Sequence, residues 1–428
     1  MIQKVVLILM ILGNILMAAK IEEIEVEGMK IPIIFEEDKR LPLVAMQFVF
    51  QNSGSIADTT KAGLAKFSSK VMNEGTKTLG STSFAEALES RAIGISTSIG
   101  RETLVMELSC LKEEFDTALG YFDMLLKEPN LTKEVVKKVK TTTIGELARK
   151  ENDFDYVASN ELKSLLFEGT ILANPSSGTL ESVKSIELED VKEFISKNLV
   201  SSKLIVAIGG DVDLNDAKEK IKKIIEAIPK GEAQDITNFS ATKEPKEKVV
   251  KKETEQAYIY FGSPYYTSVD SKDYYKARVA MFILGSGGFG SRIMEEIRVK
   301  KGLAYSAYAK INVTKSSSYM SGHLQTKIES QDEAKKSVKE VIEKFVKNGA
   351  TKDELEQTKK FMLGSEPLRV EVMNQRLNRT FMEFYNGQEL GNSLKELELI
   401  EKLTLKELND FIKEHQEVLD ISFAIVTK

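Results

Sequence analysis

Two pairs of strings recur along the chain at nearly one spacing. Leu131-Thr-Lys-Glu-Val-Val-Lys-Lys answers Ala350-Thr-Lys-Asp-Glu-Leu-Glu-Gln, with Thr132 and Thr351 219 residues apart, and the run from Leu180 to Ile195 answers Leu397 to Ile412, with Phe194 and Phe411 217 apart. Two matches in the same order and nearly the same register point to a duplicated domain of roughly 200 residues, a period too long for a solenoid. Each half mixes strand and helix patterns. Ile21 to Val26 and Ile31 to Phe35 flank Gly28 as a hairpin, and Leu43 to Phe50, Thr103 to Leu111 and Leu204 to Ile208 read as further strands. In the second half Ala257 to Phe261, Tyr319 to Ile328 and Ile421 to Val426 read as strands, and Glu333 to Val346 as a helix ending at Gly349. Strands lie both in pairs and between helices, so the expected class is α+β: two similar α/β sandwich domains, mainly antiparallel, with helices packed on each sheet.

The expected boundaries are residues 1–19 as a signal peptide, 20–228 and 257–428 as the two domains, and 229–256 as a polar linker around Lys-Glu-Pro-Lys-Glu-Lys at 243–248. The leader reading rests on Lys4, the apolar run Val5 to Leu12 and small residues at Ala18-Ala19, the layout of an export signal. Asn14 interrupts the apolar run, which falls short of the ~20 residues of a spanning helix, so no permanent membrane anchor is expected. The mature chain is expected to be exported, periplasmic or secreted.

Scarce residues limit the chemistry. With 1 Cys and 2 His in 428 residues there is no disulfide framework, no cysteine zinc finger and no four-cysteine cluster. A net charge of −5 leaves no basic footprint for nucleic acid. Gly285-Ser-Gly287-Gly288-Phe-Gly290 has the spacing of a dinucleotide loop, but no Asp or Glu stands between Glu296 and Glu329 to hold a ribose, so a glycine turn leading into a helix is the better reading. His323 on a strand face and His415 near a helix end both read as structural.

From Lys61 to Thr76 the apolar residues Leu64, Phe67, Val71 and Met72 mark an amphipathic helix. Lys66 and Lys70 share a face of it, with Ser69 beside them and Glu74 one turn beyond. Taken alone this is a solvated helix face. Gly63-Leu64-Ala65 and Gly75-Thr76, however, resemble the frame of the pitrilysin/insulinase zinc peptidases, whose catalytic half carries Gly-Leu-Ala-His-x-x-Glu-His followed by Gly-Thr, the H-x-x-E-H zinc signature. In this chain Lys66 and Lys70 stand at the two histidine positions and Ser69 at the general-base position, while Glu146 falls close to the third ligand. Two ammonium groups one turn apart repel a divalent cation, and a serine hydroxyl is too weak a base to replace a carboxylate. No metal and no catalytic residue are therefore expected in this chain.

The second half keeps more of the resemblance. Gly285 to Arg292, followed by Glu296-Ile-Arg298 and Gly302-Leu-Ala-Tyr305, is similar to the family's glycine turn and its Arg/Tyr pair, seven residues apart, which holds substrate in active members. The resemblance implies that Arg298 and Tyr305 bind substrate, as a carbonyl donor and an oxyanion donor. Some relatives divide the work between two chains. The expectation is thus a non-zinc subunit of a heterodimeric peptidase, whose partner carries H-x-x-E-H and the zinc and whose substrate is an unfolded peptide. The alternative is a non-enzymatic scaffold or peptide-binding protein of the same fold.

Overall fold

The computed structural model describes residues 19–58 and 61–428. The export signal expected at the amino terminus lies, but for Ala19, outside the described residues. Among the described residues there are eleven strands: β1 (Lys20–Val26), β2 (Met29–Glu37), β3 (Leu43–Gln51), β4 (Gly94–Ile99), β5 (Thr103–Leu111), β6 (Leu204–Gly210), β7 (Glu247–Lys251), β8 (Gln256–Pro264), β9 (Ala304–Val313), β10 (Ser318–Lys327) and β11 (Ser422–Thr427). They form a six-stranded sheet, β1-β2-β6-β3-β5-β4, and a five-stranded sheet, β7-β11-β8-β10-β9. Helices cover both, as the α+β expectation requires.

The duplication is visible in the pairing itself. In the first sheet β2 runs parallel to β6, which is antiparallel to β3, then β5, then β4. In the second, β7 runs parallel to β11, which is antiparallel to β8, then β10, then β9. The order and sense are identical, with β1 an addition to the first sheet. Corresponding strands start 218, 213, 210, 215 and 218 residues apart (29 to 247, 43 to 256, 94 to 304, 103 to 318, 204 to 422).

The compact units do not follow a single cut in the chain. Among the described residues, the first takes 19–58, 61–144, 176–235 and 367–385; the second takes 145–175, 236–366 and 386–428. Each unit therefore includes one helix from the other half of the sequence. Met373–Tyr385 packs on β2 and β6 of the first unit, and Phe154–Leu166 packs on β8 and β11 of the second. The two helices start 219 residues apart, the period of the duplication, so the exchange is reciprocal.

In the first unit the core is built on Met46, Phe48 and Phe50 of β3, with Phe48 edge-on to Phe122 at 4.9 Å. The exchanged helix is fixed by Arg376, which donates to Glu36 Oε1 (2.7 Å) and Asp38 Oδ2 (2.6 Å). In the second unit Ile259, Phe261, Met320 and Leu324 meet Val338, Ile342 and Phe345 of the Gln331–Asn348 helix. The opposite face of that sheet meets Leu162, Leu166 and Phe167, with Phe167 edge-on to Tyr319 at 5.1 Å.

Segment 229–256, expected as a polar connection, is tied down along much of its length. Asn52 Nδ2 donates to the carbonyls of Gln234 and Asp235 within the first unit. In the second unit the Phe239 and Thr242 amides donate to the carbonyls of Ser316 and Leu166, both at 2.8 Å, and 247–251 forms β7. As an edge strand β7 needs little apolar content, and its charged ends keep that edge from pairing with other chains.

Candidate functional site

The helix Leu64–Met72 buries Leu64, Phe67, Val71 and Met72. Its first turn is fixed by close approach: Gly63 has φ +85°, and a β-carbon there would sit 2.5 Å from the Gly178 nitrogen. The Asp58 carboxylate caps the turn, accepting from the amides of Gly63 (2.8 Å) and Ala65 (2.6 Å). Burial pushes that carboxyl up to about 7 against the effect of the two bonds. On the polar side Lys66 Nζ donates to Ser177 Oγ (3.3 Å) and Lys70 Nζ to Thr143 Oγ1 (3.2 Å), while the buried Ser69 hydroxyl donates to the Lys66 carbonyl (2.9 Å). Glu74 accepts from Lys138 (2.6 Å) and Ser81 (2.7 Å). Glu146 lies on the helix Lys133–Lys150.

The second cluster is built by the glycine-rich turn. Phe282–Ser286 is a wide π-type turn whose Gly285 packs so closely on β9 that a β-carbon would sit 2.7 Å from the Ala309 β-carbon and nitrogen. Gly285 thus serves close packing of the turn on the strand, and the turn leads into helix, as expected. Arg292 anchors the next turn, donating to Glu354 Oε1 (2.7 Å), Glu354 Oε2 (2.8 Å) and the Gly349 carbonyl (2.7 Å). Burial alone would raise the Glu354 carboxyl, but the bonds from Arg292 and Thr351 outweigh it and hold the group below its usual range.

A second π-type turn, Glu295–Lys300, then presents Arg298, whose Cζ lies over the ring of Phe289 at 4.7 Å and of Tyr305 at 4.5 Å. Tyr305 is 83% exposed and Phe289 70%. Tyr305 sits at an irregularity of the β9–β10 register, where Tyr305 and Ser306 together face Gln325, on the open edge of the sheet. Such bulges re-aim side chains.

Because Glu354 is depressed, its stabilisation is present above the unfolded carboxyl value of about 4.3 and is lost as pH falls through the lower folded value. Glu354→Gln is accordingly expected to cost about 2 kcal/mol at neutral pH, the scale of a charged hydrogen bond, and progressively less as pH falls through the depressed folded value. Urea unfolding of both proteins across that range checks this; a difference independent of pH would refute it.

The structure thus brings Lys66, Ser69 and Lys70 onto one helix of the first unit, and Arg298 and Tyr305 into contact in the second. Both histidines belong to the second unit. His323 on β10 stacks on Tyr260 (centroids 5.2 Å), and burial lowers its pKa. His415 caps the helix Leu405–Glu414, stacks on Tyr265 (4.8 Å) and bonds Glu417 through Nδ1 at 2.7 Å. Cys110 is buried on β5, and burial pushes its thiol up to about 11, which makes it unreactive.

Residues 33–180 match the insulinase (peptidase family M16) domain, and residues 185–362 match the peptidase M16 inactive domain. A non-peptidase homolog, YmxG, from Helicobacter pylori is 42% identical over 96% of this chain and 95% of its own length. The chain belongs to the insulinase family. An uncharacterized zinc protease YmxG of Bacillus subtilis is 24% identical over 81% of this chain and 84% of its own. Among solved structures, a peptidase M16 inactive domain from Pseudomonas fluorescens superposes with a TM-score of 0.87 at 21% identity, covering 95% of this chain and 97% of that one, and so shares the fold.

Insulinase-family membership implies zinc, and the residues present do not fit it. The side chains at the signature positions are two ammonium groups, each donating to a hydroxyl, and an ammonium has no lone pair for a metal. Among the described residues, no three His, Cys, Asp or Glu side chains gather as a metal site needs. Sequence reasoning missed Phe289, an unassigned position within the glycine pattern; its aromatic character between two glycines was the available signal.

Proposed function

We propose that this chain is the non-zinc subunit of an exported, two-chain insulinase-family peptidase, and that Arg298 and Tyr305 hold an unfolded peptide while a partner with an intact H-x-x-E-H supplies zinc and water activation. The observation that carries the reading is the contrast between the two clusters. Lysines replace the metal-binding histidines, whereas Arg298 and Tyr305 lie in contact at an exposed edge. A guanidinium can donate to a peptide carbonyl, and a phenol can donate to the oxyanion that develops on it. Export is part of the proposal and rests on the layout of residues 1–19.

Peptide hydrolysis by the purified chain, by a catalytic partner and by the mixture tests the proposal. Activity is expected in the mixture, with Arg298→Ala or Tyr305→Phe lowering kcat/KM about 10²-fold, the usual loss for a transition-state donor. Turnover or stoichiometric zinc in this chain alone, or an unchanged rate in both variants, would overturn it. The name of the Helicobacter relative, a non-peptidase homolog, also suits the second reading, a peptide-binding protein without a catalytic partner. Peptide affinity in the absence of any co-purifying peptidase chain would favour that reading.

A further inference from the structure

Arg298 is held in an unusual way. Its guanidinium lies over two ring faces, Phe289 at 4.7 Å and Tyr305 at 4.5 Å, yet among the described residues its side chain makes no hydrogen bond and no ion pair. The other arginine of this turn, Arg292, is by contrast fully engaged by Glu354 and the Gly349 carbonyl. Of the neighbouring charges, Glu296 is already held by Lys300 (3.2 Å) and Lys301 (3.8 Å).

Phe289 is offered to Arg298 by the backbone. Gly288 (φ +66°) and Gly290 (φ +95°) flank it in left-handed conformations, and the Ser291 amide and hydroxyl close the turn on the Gly288 carbonyl at 3.0 and 2.7 Å. Leaving a ring 70% exposed wastes apolar surface that a core would have covered, so the turn needs another reason to hold it there.

We propose that Phe289, Arg298 and Tyr305 form a carboxylate reader, selecting peptides that present an acidic side chain or a free carboxy terminus at this point. The inference rests on the reading of Arg298 and Tyr305 as peptide-binding residues and adds the substrate class and a positioning residue, Phe289. The two rings hold the guanidinium by cation–π contact, while its N–H donors, which have no hydrogen-bond or ion-pair partner among the described residues, remain for a ligand to meet. A carboxylate matches that rim with two parallel, charge-assisted bonds, whereas a neutral carbonyl supplies a single weaker acceptor. The Tyr305 hydroxyl adds a donor beside it, and β9, as an edge strand, lets an extended chain lie alongside.

The test measures binding of the full mature chain to fluorescent unstructured peptides that differ only in one internal Glu or Gln, each with a free or an amidated carboxy terminus. A peptide carrying either carboxylate is expected to bind about tenfold more tightly than the fully amidated Gln peptide. Comparing internal Glu with a free terminus tells which source the site takes. Phe289→Leu, which keeps apolar bulk but removes the ring, is expected to reduce the preference to about twofold, and Phe289→Tyr to restore it. Binding that depends on Arg298 but is equal for all four peptides would leave the peptide-binding reading standing and overturn the carboxylate reader. Equal loss of preference in Phe289→Leu and Phe289→Tyr would overturn the role of the ring. Binding that survives Arg298→Ala unchanged would overturn both.

Discussion

Arg376→Ala is expected to lower the unfolding free energy by about 3–5 kcal/mol, the cost of removing one partner from a buried ion group. Its guanidinium bonds Glu36 at 2.7 Å and Asp38 at 2.6 Å, and those carboxylates are 1% and 7% exposed. Arg40 and Arg376 hold the Asp38 carboxyl well below its usual range, whereas burial leaves Glu36 raised even with Arg376 beside it. Asp38 therefore stabilises the fold above the unfolded carboxyl value of about 3.9 and ceases to as pH falls through its folded value; Glu36 acts in the opposite sense as pH rises. Without Arg376, Asp38 keeps Arg40, but Glu36 has no other hydrogen-bonding cation and must ionise in an apolar site or stay protonated. Urea unfolding at neutral pH measures the loss, and a change below about 1 kcal/mol would show that the group does not fasten the helix. Glu36→Gln in the Arg376→Ala background should recover part of the loss, because a neutral amide is easier to bury.

Leu166→Ala is expected to cost about 2–5 kcal/mol by the transfer and cavity terms of a buried leucine. Leu166 is 1% exposed and packs in the cluster of Leu162, Phe167 and Tyr319 beneath the second sheet. Its carbonyl also receives the Thr242 amide at 2.8 Å, so a shift of this helix disturbs the connecting segment too. Since Leu166 comes from the first half of the sequence and its sheet from the second, the measurement asks whether the exchanged helix is part of the core. Full retention of the urea midpoint in Leu166→Ala would deny it. A loss confined to the expected range, with an unchanged slope, would confirm ordinary core packing.

Most strands were legible because their apolar alternation is strong, as in Leu43–Gln51 and Thr103–Leu111. Those missed lie where pairing, not hydrophobicity, makes the strand. Gly94–Ile99 is mostly serine, threonine and glycine, Glu247–Lys251 is three-fifths charged, and Ala304–Val313 mixes alanine with polar residues. All three are edge strands, where one flank is open. The lysine face could be found because a helix period is local, whereas Arg298 and Tyr305 were singled out only by the resemblance of the glycine turn and its surroundings to the family pattern. Phe289 was not, since its partner stands nine residues away and only the fold of the glycine turn makes them meet. The helix exchange was equally hidden. An amphipathic pattern says that a helix needs a sheet, and nothing in Phe154–Leu166 or Met373–Tyr385 says which one.

That exchange sets a clock on biogenesis. Glu36 and Arg376 are 340 residues apart in the chain, so the first sheet, although made largely of early residues, waits for a helix that emerges near the end of synthesis. At the usual 5–20 residues per second this interval is roughly 20–70 s. Until then the Arg376 side of β2, and of β6 once it is made, has no native cover, and the nascent chain cannot lock into its final form. Were the chain exported, as proposed, such a delay would be useful, because a chain that has not finished folding can still be threaded through a translocation pore.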